Sequence, residues 1–331
     1  MIPFSILDLA PIAEGSTLAT ALENSTRLAI AADKAGFNRI WYAEHHGMQG
    51  IASSATSIVI SHIAAATESI RVGSGGIMLP NHSPLVIAEQ FGTLAALFPD
   101  RIDLGLGRAP GTDMRTAQAL RRNMHGQVDD YPSDIQELQG YLGTPKTVQP
   151  IIAIPGVNSH VPLWLLGSSL YSAQLSAELG LPYSFASHFA PDLLFDAISL
   201  YRAQFKPSKQ CQKPYVMAGM MAILADTNEE AAFLFTSVQQ QFINLRRGVN
   251  KPFARPVDNI RGLCSVAEEA MLAHTLRHAV VGSTDKAQEQ INRFIEATDV
   301  DEIIFSIPIH DIDARLKSLN LLANNQLMQK R

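Results

Sequence analysis

The sequence predicts a single (β/α)8 TIM barrel with insertions over its C-terminal mouth, and three observations carry that expectation. Apolar runs of strand length alternate with helix-length segments eight times along the chain. The first run is followed by Asp8-Leu9-Ala10-Pro11-Ile12, which cannot form the glycine-rich pyrophosphate turn of a nicotinamide-binding domain. At 331 residues the chain has a length that one barrel can use, and no Pro/Gly/Ser-rich linker divides it into two cores. On periodicity alone an open, doubly wound sheet remains the alternative.

Each unit can be read in order. Phe4 to Leu7 is a strand, and the Ala/Leu-rich segment from Ser16 to Ala35 is a helix that Gly36 terminates. Arg39 to Ala43 is the second strand and Ser54 to Thr67 its helix; Ile70 to Leu79 is the third, with a glycine-rich end. Ser83-Pro84 opens a helix to Leu97, proline standing at the first helical position, and Arg101 to Leu106 is the fourth strand. The pattern then loosens until a helix at Ser133 to Leu142, and the Pro/Gly-rich residues 143–160 read as an excursion over the mouth. Leu163 to Leu166, Tyr183 to Ala186 and Tyr215 to Leu224 are strands five to seven, with helices Ser169 to Leu179, from near Pro191, and Asn228 to Asn244. Residues 246–263 form a second insertion, read as a mobile lid. A helix Thr284 to Ala297, a strand Glu302 to Ile307 and a helix Asp311 to Ala323 close the series.

Composition excludes several classes. Hydrophobic residues make up 47% and charged residues 17%, so the chain can bury a large core. A net charge of -5, with no basic run longer than Arg121-Arg122 or Arg246-Arg247, leaves no footprint for a nucleic-acid backbone. Cys211 and Cys264 are far apart and lack CxxC spacing, which argues against a disulfide framework or a zinc site and fits a reducing cytoplasm. The segment Met1 to Asp8 lacks the basic start of a signal peptide, and no apolar stretch approaches the roughly 20 residues of a membrane helix.

A barrel of this type carries its chemistry at the C-terminal ends of the strands. The polar residues there are Glu44-His45-His46, Ser74-Gly75-Gly76 with Asn81-His82, Gly107-Arg108, Gly167-Ser168-Ser169, and Ser187-His188. A metal at Glu44-His45-His46 is disfavoured. Adjacent residues on extended chain point to opposite sides, and no HxH or HExxH spacing occurs.

Three stretches, Ala43-Glu44-His45-His46, Val72 to Pro84 and Leu104-Gly105-Leu106-Gly107-Arg108, resemble in order and spacing the strand motifs of bacterial luciferase-like monooxygenases. Ala88-Glu89-Gln90-Phe91, Val300 to Ile304 and His310-Asp311 extend the likeness over nearly the whole chain. The start Leu7-Asp8-Leu9-Ala10-Pro11 is similar to an uncharacterised subgroup. The resemblance implies reduced FMN (FMNH2) as cofactor, delivered by a separate NAD(P)H:flavin reductase. A flavin C4a-hydroperoxide would then pass one oxygen atom of O2 to a small organic substrate.

The resemblance also implies roles. Arg108 would bind the flavin phosphate through its guanidinium fork, with Ser168, Ser169 and Tyr171 around the start of the following helix. Gly75 and Gly76 would back the isoalloxazine ring, through a non-prolyl cis peptide in many relatives. His45 would act as general acid/base beside the flavin's reactive edge; from the residues themselves, Glu44, flanking the histidines, would orient a neighbouring group, and His82 and His188 would add to that pocket or bind substrate. The two insertions would keep water out. A homodimer is implied, with the Ala64-Ala65-Ala66 and Ala95-Ala96 faces permitting close helix packing. Two features depart from the luciferase pattern: Gly107 stands in place of a reactive cysteine, and Ser168 in place of an acidic residue, so an aldehyde substrate is not implied. Hydride transfer with the deazaflavin F420, a non-catalytic flavin-binding protein, and a metal-dependent hydrolase are the alternatives.

Overall fold

The computed structural model describes residues 2–109, 114–120, 130–145 and 150–324. Its strands are β1 (Phe4–Asp8), β2 (Arg39–Tyr42), β3 (Arg71–Met78), β4 (Ile102–Gly107), β5 (Leu163–Gly167), β6 (Tyr183–Phe185), β7 (Val216–Leu224), β8 (Val280–Gly282) and β9 (Glu302–Ser306). All strands but β8 close into one barrel: β1 to β7 pair in sequence order, β9 lies between β7 and β1, and every pairing is parallel. The open-sheet alternative is thereby removed. β8 pairs with Ala222 to Leu224, the part of β7 that runs on past its pairing with β9.

The helices are α1 (Leu18–Lys34), α2 (Thr56–Ala66), α3 (Pro84–Leu97), α4 (Met114–Leu120), α5 (Tyr131–Leu142), α6 (Leu170–Leu179), α7 (Leu194–Gln204), α8 (Asn228–Arg246), α9 (Val266–Thr275), α10 (Thr284–Thr298) and α11 (Ile312–Ala323). Local chemistry sets their ends. Thr17 caps α1 by accepting from the Thr20 amide, Ser265 and Glu268 form a reciprocal capping box on α9, and Gly180 stops α6 in the left-handed region at φ 63°. Among the described residues no helix is long and apolar enough to cross a membrane.

The barrel is plugged from its N-terminal end. Arg39 donates to Asp103 at 2.6 Å and to Glu302 at 2.8 Å, while Arg71 reaches the other Asp103 oxygen at 2.6 Å. Ser5, Asn38 and Tyr215 complete the set of donors to Glu302. The Arg39 guanidinium also lies 4.7 Å over Trp164 and 5.7 Å from the Trp41 ring. Burial alone would make that charge expensive, and the two carboxylates overcome it, holding the guanidinium protonated. Leu7, Trp41, Trp164, Met217 and Ile304 form the apolar layer packed with it.

One insertion is not where the sequence expectation put it. Residues 143–160 connect α5 to the N-terminal start of β5, because α5 has already carried the chain back from the mouth. Their described part packs on the flank of α3: the Cα of Gly156 is so close that a methyl on Gly92 would meet it at 2.3 Å. Residues 246–263 do reach the strand C-termini. Phe253 donates to Ile12 and accepts from Glu14 at 2.8 Å each, and Asn250 Oδ1 accepts from the Gln49 amide at 2.8 Å, so this segment lies on the loops after β1 and β2.

Candidate active site

The rim of the mouth is organised around a carboxylate that the sequence expectation left in a supporting role. Glu44, 1% exposed at the end of β2, accepts from His46 Nε2 at 2.8 Å, His82 Nε2 at 2.9 Å and the Met78 amide at 3.0 Å. One side chain thus ties the end of β2 to the end of β3 and to the turn after it. Burial pushes the carboxyl up, but hydrogen bonds from His82, His46 and Met78, with the charge of His82, outweigh it and hold Glu44 below its ordinary 4.5. Glu44 and His46 face one way, so His45 between them projects to the other side of the chain.

Between these anchors β3 bulges. Its register with β4 shifts between Ser74 and Ile77, and the Gly75-Gly76 peptide is cis. Neither glycine has room for a side chain. A methyl on Gly75 would meet Leu7 at 2.7 Å inside the barrel, and one on Gly76 would meet the Gly105 carbonyl at 2.7 Å. Bare backbone therefore lies at the mouth there, which suits the face of a flat ring.

A polar cluster with a cation forms at the ends of β4 and β5. Arg108 follows β4 and lays its guanidinium 4.2 Å over the ring of Tyr171, in the first turn of α6. Ser169 caps that helix, its Oγ accepting from the Ser172 amide at 3.4 Å, and the first-turn amides around it point outward without intrahelical acceptors. Gly167 permits this approach, because a methyl there would strike Ser172 Oγ at 2.3 Å. Tyr131, at the start of α5, donates to Leu106 O at 3.1 Å and is electrostatically coupled to both Tyr171 and Arg108. Burial pushes its phenol above the ordinary value, so Tyr131 is a fixed neutral member of the cluster. Nothing local in the sequence marked it. A guanidinium beside a helix N-terminus is a site for a phosphate dianion.

On the next arc, the loop after β6 brings His188 over β7. Ser187 Oγ donates to Gly219 O at 2.7 Å, and a methyl on Gly219 would lie 2.2 Å from His188 Nδ1. Gly219 has the same facing as Met217, a member of the barrel-interior layer two residues before it, so the His188 ring leans into the barrel. Among the expected site residues, then, His45, Gly75, Gly76, Arg108, Ser168, Ser169, Tyr171 and His188 all lie at strand C-terminal ends. His82 sits behind the rim with its Nε2 engaged by Glu44.

The family model described as luciferase-like monooxygenase matches residues 2–302. The chain belongs to the luciferase-like monooxygenase family. Within it, a "Luciferase-like monooxygenase" of Escherichia coli K12 is 51% identical over 97% of this chain and 96% of that protein. The "N-acetyl-S-alkylcysteine monooxygenase" of Bacillus subtilis is 30% identical over the full length of both. The crystal structure of apo-MsnO8 superposes with a TM-score of 0.90 at 35% identity, covering all of both chains. At 16% identity the fold is shared, with a TM-score of 0.73 over 98% and 97% of the chains, with the FMN-bound oxygenating constituent of a 3,6-diketocamphane monooxygenase from Pseudomonas putida. An F420-dependent secondary alcohol dehydrogenase shares the fold at 14% identity, with a TM-score of 0.69 over 99% of each chain. Family membership makes this chain a flavin-dependent oxidoreductase acting on paired donors with O2.

Proposed function

We propose that this luciferase-like protein is an FMNH2-dependent monooxygenase that places one oxygen atom of O2 into a small organic substrate. The observation that carries the reading is the pairing, on adjacent arcs of one mouth, of a phosphate-type end with bare backbone. The phosphate-type end is Arg108 over Tyr171 at the capped start of α6, and the backbone is the Gly75-Gly76 bulge, where neither residue has room for a side chain. Those two features match the two ends of a flavin mononucleotide. When bound, reduced flavin supplies the electrons that split O2 between substrate and water.

The chain's own residues then have separable tasks. Arg108, Ser168, Ser169 and Tyr171 hold the phosphate end; Gly75 and Gly76 let the ring approach the strand; His45 holds or moves a proton beside it. Residues 250–253, on the loops after β1 and β2, restrict water at that side of the mouth. A separate NAD(P)H:flavin reductase supplies the reduced flavin, and a cytoplasmic homodimer is part of the same reading. The exposed Ile58 on α2 and Leu97 on α3, 70% and 60% accessible, support a partner on that flank.

Anaerobic titration with reduced FMN and, separately, reduced F420 tests the proposal. The reading predicts that reduced FMN should bind, that Arg108→Ala should weaken it about 10- to 100-fold, in keeping with about 1.5–3 kcal/mol for a charge-assisted contact, and that F420 should bind poorly. Preference for F420 would move the protein to hydride transfer. Binding of neither would end the flavin reading.

A further inference from the structure

We propose that Asp8 and Arg315, a buried ion pair behind the end of β1, are positioning residues: they set the turn on which the water-excluding side of the mouth is assembled. The inference deepens the reading of residues 250–253 as a barrier to water and rests on it.

The pair lies outside the barrel wall, against α1 and α11. Arg315 donates from Nη2 to Asp8 Oδ1 at 2.7 Å and from Nε to Ile307 O at 2.6 Å, the two side chains being 4% and 0% exposed. One guanidinium thus ties the end of β1 to the end of β9. Ser25, on α1, donates to the other Asp8 oxygen. Asp8 Oδ1 also accepts from the Ala10 amide at 3.0 Å, and Ala10 stands at φ 48°, in the left-handed region that alanine rarely adopts. A carboxylate that reaches the amide two residues on is a turn-forming device, and here Arg315 and Ser25 fix the carboxylate itself.

What hangs on that turn is the rim of the mouth. Ala10 O accepts from the Ala52 amide at 3.0 Å, and Ile12 donates to Gly50 O at 2.9 Å. Phe253 donates to Ile12 O and accepts from the Glu14 amide, at 2.8 Å each. The loops after β1 and β2 and the 250–253 segment therefore form one hydrogen-bonded unit seated on residues 10–14. Leu9, between Asp8 and Ala10, turns the opposite way from Asp8 and packs on the barrel-interior layer of Leu7, Trp41 and Trp164. It is only half-buried, so its uncovered part lies in the mouth. Arg108 and Tyr171 stand on other strands, so the turn can be loosened without altering the phosphate end.

Asp8→Leu/Arg315→Met replaces the pair by apolar side chains, an exchange that buried ion pairs often tolerate in stability, and removes the acceptor of the Ala10 amide. Without flavin, amide exchange read by mass spectrometry should quicken about tenfold or more in residues 9–14, 47–53 and 250–255 of this variant and stay at the wild-type rate in residues 163–175. With flavin, anaerobic affinity for reduced FMN should stay within about twofold of wild type. On admission of air without substrate, reduced flavin and O2 give oxidised flavin and H2O2, and this release should be at least about threefold faster in the variant. Asp8→Asn, a milder change, should move both readouts the same way by less, and Arg315→Lys, which keeps the charge, should lie closest to wild type. Unchanged exchange in the three segments, a rise that includes residues 163–175, or fast exchange with unaltered H2O2 release would overturn the proposal. If wild type binds no FMN the flavin reading falls, and the exchange rates alone decide the positioning role.

Discussion

Glu44→Ala removes the acceptor of three groups at once: His46 Nε2, His82 Nε2 and the Met78 amide, at 2.8, 2.9 and 3.0 Å. Breaking a fully buried charged pair costs about 3–5 kcal/mol. The two imidazoles are partly exposed and can turn toward water, which brings the expectation to about 2–4 kcal/mol. With an unfolding entropy of roughly 2.1 cal/mol/K per residue, this chain loses about 3–6 °C in Tm. Glu44→Gln keeps the volume and one acceptor oxygen, so its loss should be about half as large. The sign with pH is fixed by the depressed carboxyl of Glu44. A folded-state value below 4.5 contributes stability that is fully present above the unfolded value and is lost as pH falls through the folded one. Melting curves of wild type and Glu44→Ala by circular dichroism, from pH 8 down to pH 3.5, should therefore converge at the acid end. A Tm difference under 1 °C at pH 7, or one that widens as the pH falls, would refute the assignment of Glu44 as the rim's anchor.

Other perturbations have equally definite outcomes. Arg39→Met leaves Asp103 and Glu302 without their central cation and should cost about 3–5 kcal/mol, seen as a drop of several degrees in Tm with the fold's circular dichroism retained. Tyr171→Ala removes the ring under Arg108, an exposed cation–π contact of about 0.5–1 kcal/mol, and should weaken reduced-FMN binding about two- to five-fold with Tm unchanged. Gly92→Ala places a methyl 2.3 Å from the Gly156 Cα and should destabilise by about 1–3 kcal/mol, with earlier proteolytic cleavage between residues 150 and 160.

Where the chain's periods are long and regular, the fold is legible in its sequence. Val216–Leu224 stands out because a strand buried along its whole length reads as a continuous apolar run. β8 is three residues long and carries no such signal, and it pairs with the part of β7 that has left the barrel. α9 had a readable start in Ser265-x-x-Glu268, but the preceding proline-bearing segment obscures it. The placement of residues 143–160 depends on which end of the barrel α5 reaches, a fact of topology that composition does not encode. The site divides in the same way. Strand-end motifs locate the arcs of the mouth, since alternation fixes where each strand stops. The Glu44 network joins positions 34 and 38 residues apart, Tyr131 reaches Leu106 from 25 residues on, and Gly219 shapes His188 from 31 residues on, so these contacts exist only once the barrel has closed.

A crystal structure with FMN tests the central claim most directly. The account predicts the phosphate between Arg108, Ser169 and the first amides of α6, with the ring against the Gly75-Gly76 peptide and His45 at its edge. A flavin bound elsewhere, or a phosphate that leaves Arg108 stacked on Tyr171 without contact, would contradict it.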